Sequence, residues 1–161
     1  MDEFLEWLKK NKEHYALVDK SYKTVRQGEE KKPNANDIKV NTELATYGDA
    51  VLKLALCKIL WSDNASKITE KKKKYEKDQT LVEIIAKRYK MLNFIKYDKT
   101  NKPGDYNYNN SDTKSNGRNT HKFIATAVEA CLGAIFIEEG FDKALRTVEV
   151  WKGVIDQSYS E

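Results

Sequence analysis

Two stretches of this chain are apolar almost all the way round a helix, and they narrow the folds open to it. In residues 41–61, Leu44, Tyr47, Val51 and Leu54 make one stripe at helical spacing, which Leu52, Ala55, Leu56, Ile59 and Leu60 widen. Coverage that broad predicts a central helix with little solvent face. Residues 120–138, with the run FIATAVEACLGAIFI, predict a second such helix. The periodicity also predicts helices over 2–18, where Asp2 and Glu3 suit a start, over 67–89, and over 142–155. Gly140 fits the position just past a helix end. Seven Gly and two Pro in 161 residues are too few for a turn-rich sandwich. The one Asn-Gly pair, Asn116-Gly117, is flanked by polar residues and not by alternating strands. The expectation is one all-α domain over residues 1–161, with five to seven helices. Two polar stretches interrupt it: 27–39, punctuated by Gly28 and Pro33, and 97–119, long enough to be functional or disordered.

The charge balance, 29 Lys and Arg against 25 Asp and Glu, gives +4, which permits an anionic partner without requiring one. The longest apolar run, Ala130 to Ile137, is far short of the roughly 20 residues that span a bilayer. The acidic opening Met1-Asp2-Glu3 resembles neither a secretory signal nor a transit peptide. Cys57 and Cys131 both sit in apolar periodic segments and suit buried thiols better than a disulfide framework. An intracellular protein, cytoplasmic or nuclear, with no membrane partner is expected.

Each apolar helix carries one conspicuous acid, Asp49 in the first and Glu129 in the second. Acids rarely enter a core without a partner, a metal or a chemical task. One could be a satisfied structural group, but two on separate core helices suggest a shared site. Facing carboxylates on two helices can hold a hard divalent cation such as Mg²⁺ if substrate phosphate completes the shell. A plain ion pair or hydrogen-bonded acid is the competing reading.

Residues 41–52, NTELATYGDAVL, resemble the signature helix of ribonuclease III, which reads N-E-x-L-E-F-L-G-D-A-V-L. Residues 122–137, KFIATAVEACLGAIFI, resemble its second motif, K-x-L-A-D-x-x-E-A-x-x-G-A-I-Y-L. Weaker matches keep the same order: ALVDKSY at 16–22, Ile68 to Lys71, Thr80-Leu81, and Phe141 to Trp151 after the Glu-Gly-Phe turn. The resemblance implies an all-α ribonuclease III-type endonuclease domain acting on double-stranded RNA in RNA processing. It implies hydrolysis assisted by Mg²⁺, or Mn²⁺ in its place, and a homodimer that sets two sites across the duplex. It makes Asp49 and Glu129 the metal ligands and catalytic acids, and it places Lys122 where Dicer-like members carry a lysine near the scissile phosphate. An exposed helix-start lysine is the bland reading of Lys122. Nothing follows residue 161, so no double-stranded-RNA-binding domain is expected within this chain.

The departures bear directly on function. The family has acids at the positions of Thr42, Ala45 and Thr126, and another near Ala65. Residues 42, 45 and 49 share one helix face, as do 126 and 129, so the missing acids would have faced the same site. Glu43 lies about 120° round the helix from Asp49 and substitutes poorly. Two carboxylates suit one ion better than two unless a loop acid, Asp105 or Asp112, enters. Thr46 stands where the family often has a bulky Phe that inserts into the partner subunit, which makes a homodimer less secure and leaves a heterodimer open. Two functions therefore compete: a metal-dependent endoribonuclease, and a degenerate member that binds RNA or a partner subunit without cutting. Non-catalytic proteins of this fold are known in ribosomal and editing assemblies.

Lys71, Lys72, Lys73 and Lys74 head the best basic stripe for RNA, weighed evenly against a solvated helix face. Tyr97, Tyr106 and Tyr108 in the long loop more simply pin it than stack on bases. His14 and His121 lack partners at metal spacing.

Overall fold

The computed structural model describes residues 2–27, 37–110 and 118–161. Its elements in chain order are α1 (Glu3–Lys10), α2 (Ser21–Gln27), α3 (Thr42–Ile59), α4 (Ala65–Glu76), α5 (Asp78–Thr80), α6 (Lys122–Glu139) and α7 (Phe141–Ser160). Among the described residues the only extended pairing is a single parallel bridge between Val18 and Lys96. The fold is all-α.

The expected helix over 2–18 stops early. It starts at Asp2, whose carboxylate accepts the Phe4 and Leu5 N–H groups. It ends at Asn11, whose side-chain amide donates to the Trp7 carbonyl at 2.8 Å. A 3-10 turn over Tyr15–Leu17 and the unforeseen α2 follow. The expected helix over 67–89 is also broken. Lys77 is extended, with ψ 144°, and the chain restarts as α5, which runs directly into a π-helical stretch at Leu81–Ala86. The Thr80 hydroxyl donates to the Lys74 carbonyl at 2.7 Å and closes this joint. Leu81, Val82, Ile85 and Ala86 are then all buried.

α3 and α6 cross at backbone contact in the centre of the molecule. A Cβ on Gly48 would sit 1.6 Å from the Glu129 carbonyl oxygen, and one on Gly133 would sit 2.1 Å from the Leu44 carbonyl oxygen. Only glycine permits that approach. α6 buries residues on every side, from Phe123 to Ile135. α3 does not: Leu44, Val51, Leu52, Ala55 and Leu56 face the core, whereas Tyr47 and Leu54 are 56% and 59% exposed. The broad apolar coverage of α3 thus divides into a core face and an outward stripe. Gly140, at φ +92°, turns α6 into α7. α7 packs Ala144, Val148, Trp151 and Ile155 inward, and Phe4 meets Trp151 edge-on at 5.1 Å.

The long segment after Lys96 is pinned by its tyrosines. The Tyr106 hydroxyl accepts the Leu92 N–H at 3.0 Å, and Tyr97 packs on Phe123 with ring centroids 4.9 Å apart. Asp105 is bonded to the buried His121 at 2.6 Å, so that imidazole fastens the loop to the start of α6.

Candidate functional site

The site is built where α3 crosses α6. Gly48 holds the Glu129 backbone against α3, and Asp49 is the next residue along that helix. Burial pushes the Glu129 carboxyl up to about 8, and the charges of Asp49 and then Asp78 push the same way. Lys122 and Lys53 pull against them without prevailing. The charge of Asp49 is thus felt at Glu129, the acid of the other core helix.

Their surroundings differ from a metal nest. Lys53 Nζ donates to Asp49 Oδ2 at 2.8 Å, one helical turn on, and this contact raises the lysine's pKa. Asp49 is already answered by a cation of its own helix. Asp78, brought to the site by the break at Lys77, lies 3.8 Å from Lys122 Nζ. Sequence periodicity absorbed Asp78 into an unbroken helix and gave it no role. Lys53 was legible as the fourth residue after Asp49.

Thr42, Ala45 and Thr126 supply no charge to this face. The Thr126 hydroxyl donates to the Lys122 carbonyl at 3.1 Å, and Ala45 is buried. Asp105 is engaged by His121 and by the Asn107 N–H, and Asp112 lies outside the described residues. No three Asp, Glu, His or Cys side chains gather as a metal nest among the described residues. The donors present do not fit a two-ion centre: one carboxylate is ion-paired, the other favours its neutral form, and three ligand positions carry Thr or Ala.

Three of the four lysines at 71–74 have acidic partners. Lys72 reaches Glu76 at 3.8 Å, Lys73 reaches Glu70 at 3.5 Å, and Lys74 reaches Asp156 at 2.8 Å. Asp156 also accepts from Tyr75 at 2.6 Å and Lys152 at 2.7 Å, which ties α4 to the end of α7. Lys74 is thus a brace between helices, whereas Lys71 and Lys73 point to solvent. No helix among the described residues is long and apolar enough to cross a membrane.

The site thus consists of two core helices that cross at glycine and carry one conspicuous acid each. The Ribonuclease III domain family model matches residues 42–140, which hold both helices and both acids, and the chain belongs to the ribonuclease III family. Ribonuclease 3 of Clostridium kluyveri is 24% identical over 148 residues, covering 89% of this chain and 52% of its own length. Ribonuclease 3 of Glaesserella parasuis is 24% identical over 117 residues, covering 70% and 47%. The chain thus spans about half the length of these relatives. The nuclease domain of ribonuclease III from Campylobacter jejuni shares the fold, with a TM-score of 0.64 at 24% identity over 99% of this chain and 96% of that one. A second structure of that domain, described for a flexible region involved in dimer formation, matches with the same TM-score over 94% and 95%.

Proposed function

We propose that this chain is a catalytically degenerate member of the family, one that binds duplex RNA and a second subunit without cutting the RNA. The observation that carries this reading is the answered charge at the crossing: Asp49 is bonded to Lys53 at 2.8 Å, with Thr42, Ala45 and Thr126 where further acids would stand. A hard divalent ion needs several anionic oxygens free to face it. The exposed Lys71 and Lys73 and the lysine at 122 offer phosphate contacts that need no metal. The second subunit is a copy of this chain, in keeping with the dimer-forming region described for the Campylobacter jejuni domain; a different family member is the alternative.

The competing reading is hydrolysis assisted by Mg²⁺ or Mn²⁺ at Asp49 and Glu129, with Lys122 near the phosphate. One observation favours it: Asp78 brings a third carboxylate into the field of Glu129. A cleavage assay decides. The protein is incubated with a long RNA duplex in Mg²⁺ and then Mn²⁺, alongside Asp49→Asn and Glu129→Gln. A mobility shift with intact RNA is expected for all three proteins. Cutting by the wild type that both substitutions abolish would overturn the proposal, and identical cutting by all three would expose a contaminant.

A further inference from the structure

Where α3 and α6 begin, at Thr42 and Lys122, lies an open cavity of about 360 Å³. It is lined by four cations, Lys20, Lys102, Arg118 and Lys122, and by Thr42 and Thr126. The single acid in its wall, Asp19, is buried and accepts the Ser21 N–H at 3.0 Å, so it is turned to its own backbone. The acid positions of the family motif thus border a strongly cationic hollow.

Lys122 is partly answered by Asp78 at 3.8 Å, yet four cations round one hollow with a single acid in its wall still favour an anion there. Two further features of the wall suit one. α3 and α6 both begin there, at Thr42 and Lys122, and neither has a side-chain cap on its first turn. At α6 the Lys122 and Ile124 N–H groups are taken by the Asn119 and His121 carbonyls, so what the two starts offer an oxyanion is chiefly the positive end of each helix dipole. Asn41, only 1% exposed, also lines the cavity. Its amide nitrogen donates to the Ala16 carbonyl at 3.2 Å, but its Oδ1 is buried with no partner. A buried acceptor left unpaired is costly, so a donor from a ligand would be rewarded. An oxyanion with a hydroxyl beside it answers both needs.

We propose that this cavity is a metal-independent seat for a phosphate group of RNA, with Lys20, Lys102, Arg118 and Lys122 holding the oxyanion and Asn41 accepting from the attached ribose. The proposal deepens the non-cleaving reading and rests on it for the choice of RNA as ligand. Its volume suits a single nucleotide, so the seat takes one phosphate while the rest of a duplex lies outside.

The test uses the full chain in EDTA and follows inorganic phosphate by ³¹P NMR. Saturable binding is expected, weakened at least tenfold in the double variant Lys20→Glu/Lys102→Glu and unchanged in Lys10→Ala, an exposed lysine on α1 that is not part of the cavity lining. Thr126→Asp, which sets a carboxylate into the wall, is expected to abolish binding while circular dichroism shows the fold retained. Short RNA duplexes bearing 5′-phosphate or 5′-hydroxyl ends then compete for the seat. Stronger competition by the phosphorylated duplex identifies a terminal phosphate, and equal competition identifies a backbone phosphodiester; both support the proposal. A titration that never saturates, that requires Mg²⁺, or that ignores the Lys20→Glu/Lys102→Glu change overturns it. The outcomes separate the two readings: RNA retained without phosphate binding sinks the seat alone, and Mg²⁺-dependent cutting sinks the non-cleaving reading alone.

Discussion

At Glu129 burial and neighbouring charge act in the same direction. Its carboxyl titrates near 8 in the folded chain against an ordinary 4.5, so the folded state binds the proton more tightly than the unfolded state does. A raised folded pKa contributes stability that is complete below about pH 4.5 and is lost as pH rises through 8. Thermal unfolding is therefore expected to show the melting temperature falling across that window. Glu129→Gln, isosteric and uncharged, should flatten the fall and add on the order of 1–2 kcal/mol at pH 8.5, after allowance for partial solvent screening. A melting temperature that Glu129→Gln leaves equally dependent on pH would show that burial at this position costs the anion little. Both acids were legible in sequence because a lone carboxylate in an apolar helix is conspicuous. Their neighbourhood was less so. Asp78 enters only because the chain bends at Lys77, and the cationic wall at the starts of α3 and α6 gathers Lys20, Lys102 and Arg118 from three separate segments.

At the scale of elements, the long helices could be read and the joints could not. α3 and α6 were readable because periodicity over 18 residues outweighs local noise. The break at Lys77 carries neither Gly nor Pro; it is closed by the Thr80 hydroxyl on the Lys74 carbonyl, a contact that only the fold brings about. The early end of α1 is similar, since an amide of Asn11 satisfies the Trp7 carbonyl where a longer helix had been expected. The helix crossing yields a sharp prediction. Gly48→Ala drives a methyl into the Glu129 carbonyl, a backbone group with no flexible side chain to give way. A loss of about 4 kcal/mol or more, or failure to fold, is expected in urea titration. Gly153→Ala, where a Cβ meets nothing within 4 Å, serves as the control and should be neutral or slightly stabilising. A milder loss is expected at the loop pin: Tyr106→Phe strips the acceptor from the Leu92 N–H and should cost about 1 kcal/mol by the same titration.

For the whole molecule, the unresolved account is the outward face of α3. Tyr47 and Leu54 stand seven residues apart, two helical turns, and are 56% and 59% exposed, and Trp61, just past the end of the helix, is 74% exposed. Large apolar side chains aligned on one face, rather than scattered, mark a surface that a partner covers. Thr46 beside them is exposed and spends its hydroxyl on the Thr42 carbonyl, so it offers no anchor of the size expected of a Phe. If a second subunit covers this side, Tyr47, Leu54 and Trp61 are the side chains with the area to anchor it, since aromatic side chains dominate the binding energy of most interfaces. If the second subunit is a copy of this chain, sedimentation should show a reversible dimer. Leu54→Lys/Trp61→Ala should then weaken it about 100-fold or more, each change removing buried apolar area and the first also burying a charge. Because both side chains are exposed in the single chain, circular dichroism of the variant should match the parent. A chain that sediments as a monomer before and after the change would assign the stripe to a different subunit, and a dimer indifferent to it would place the contact on another face.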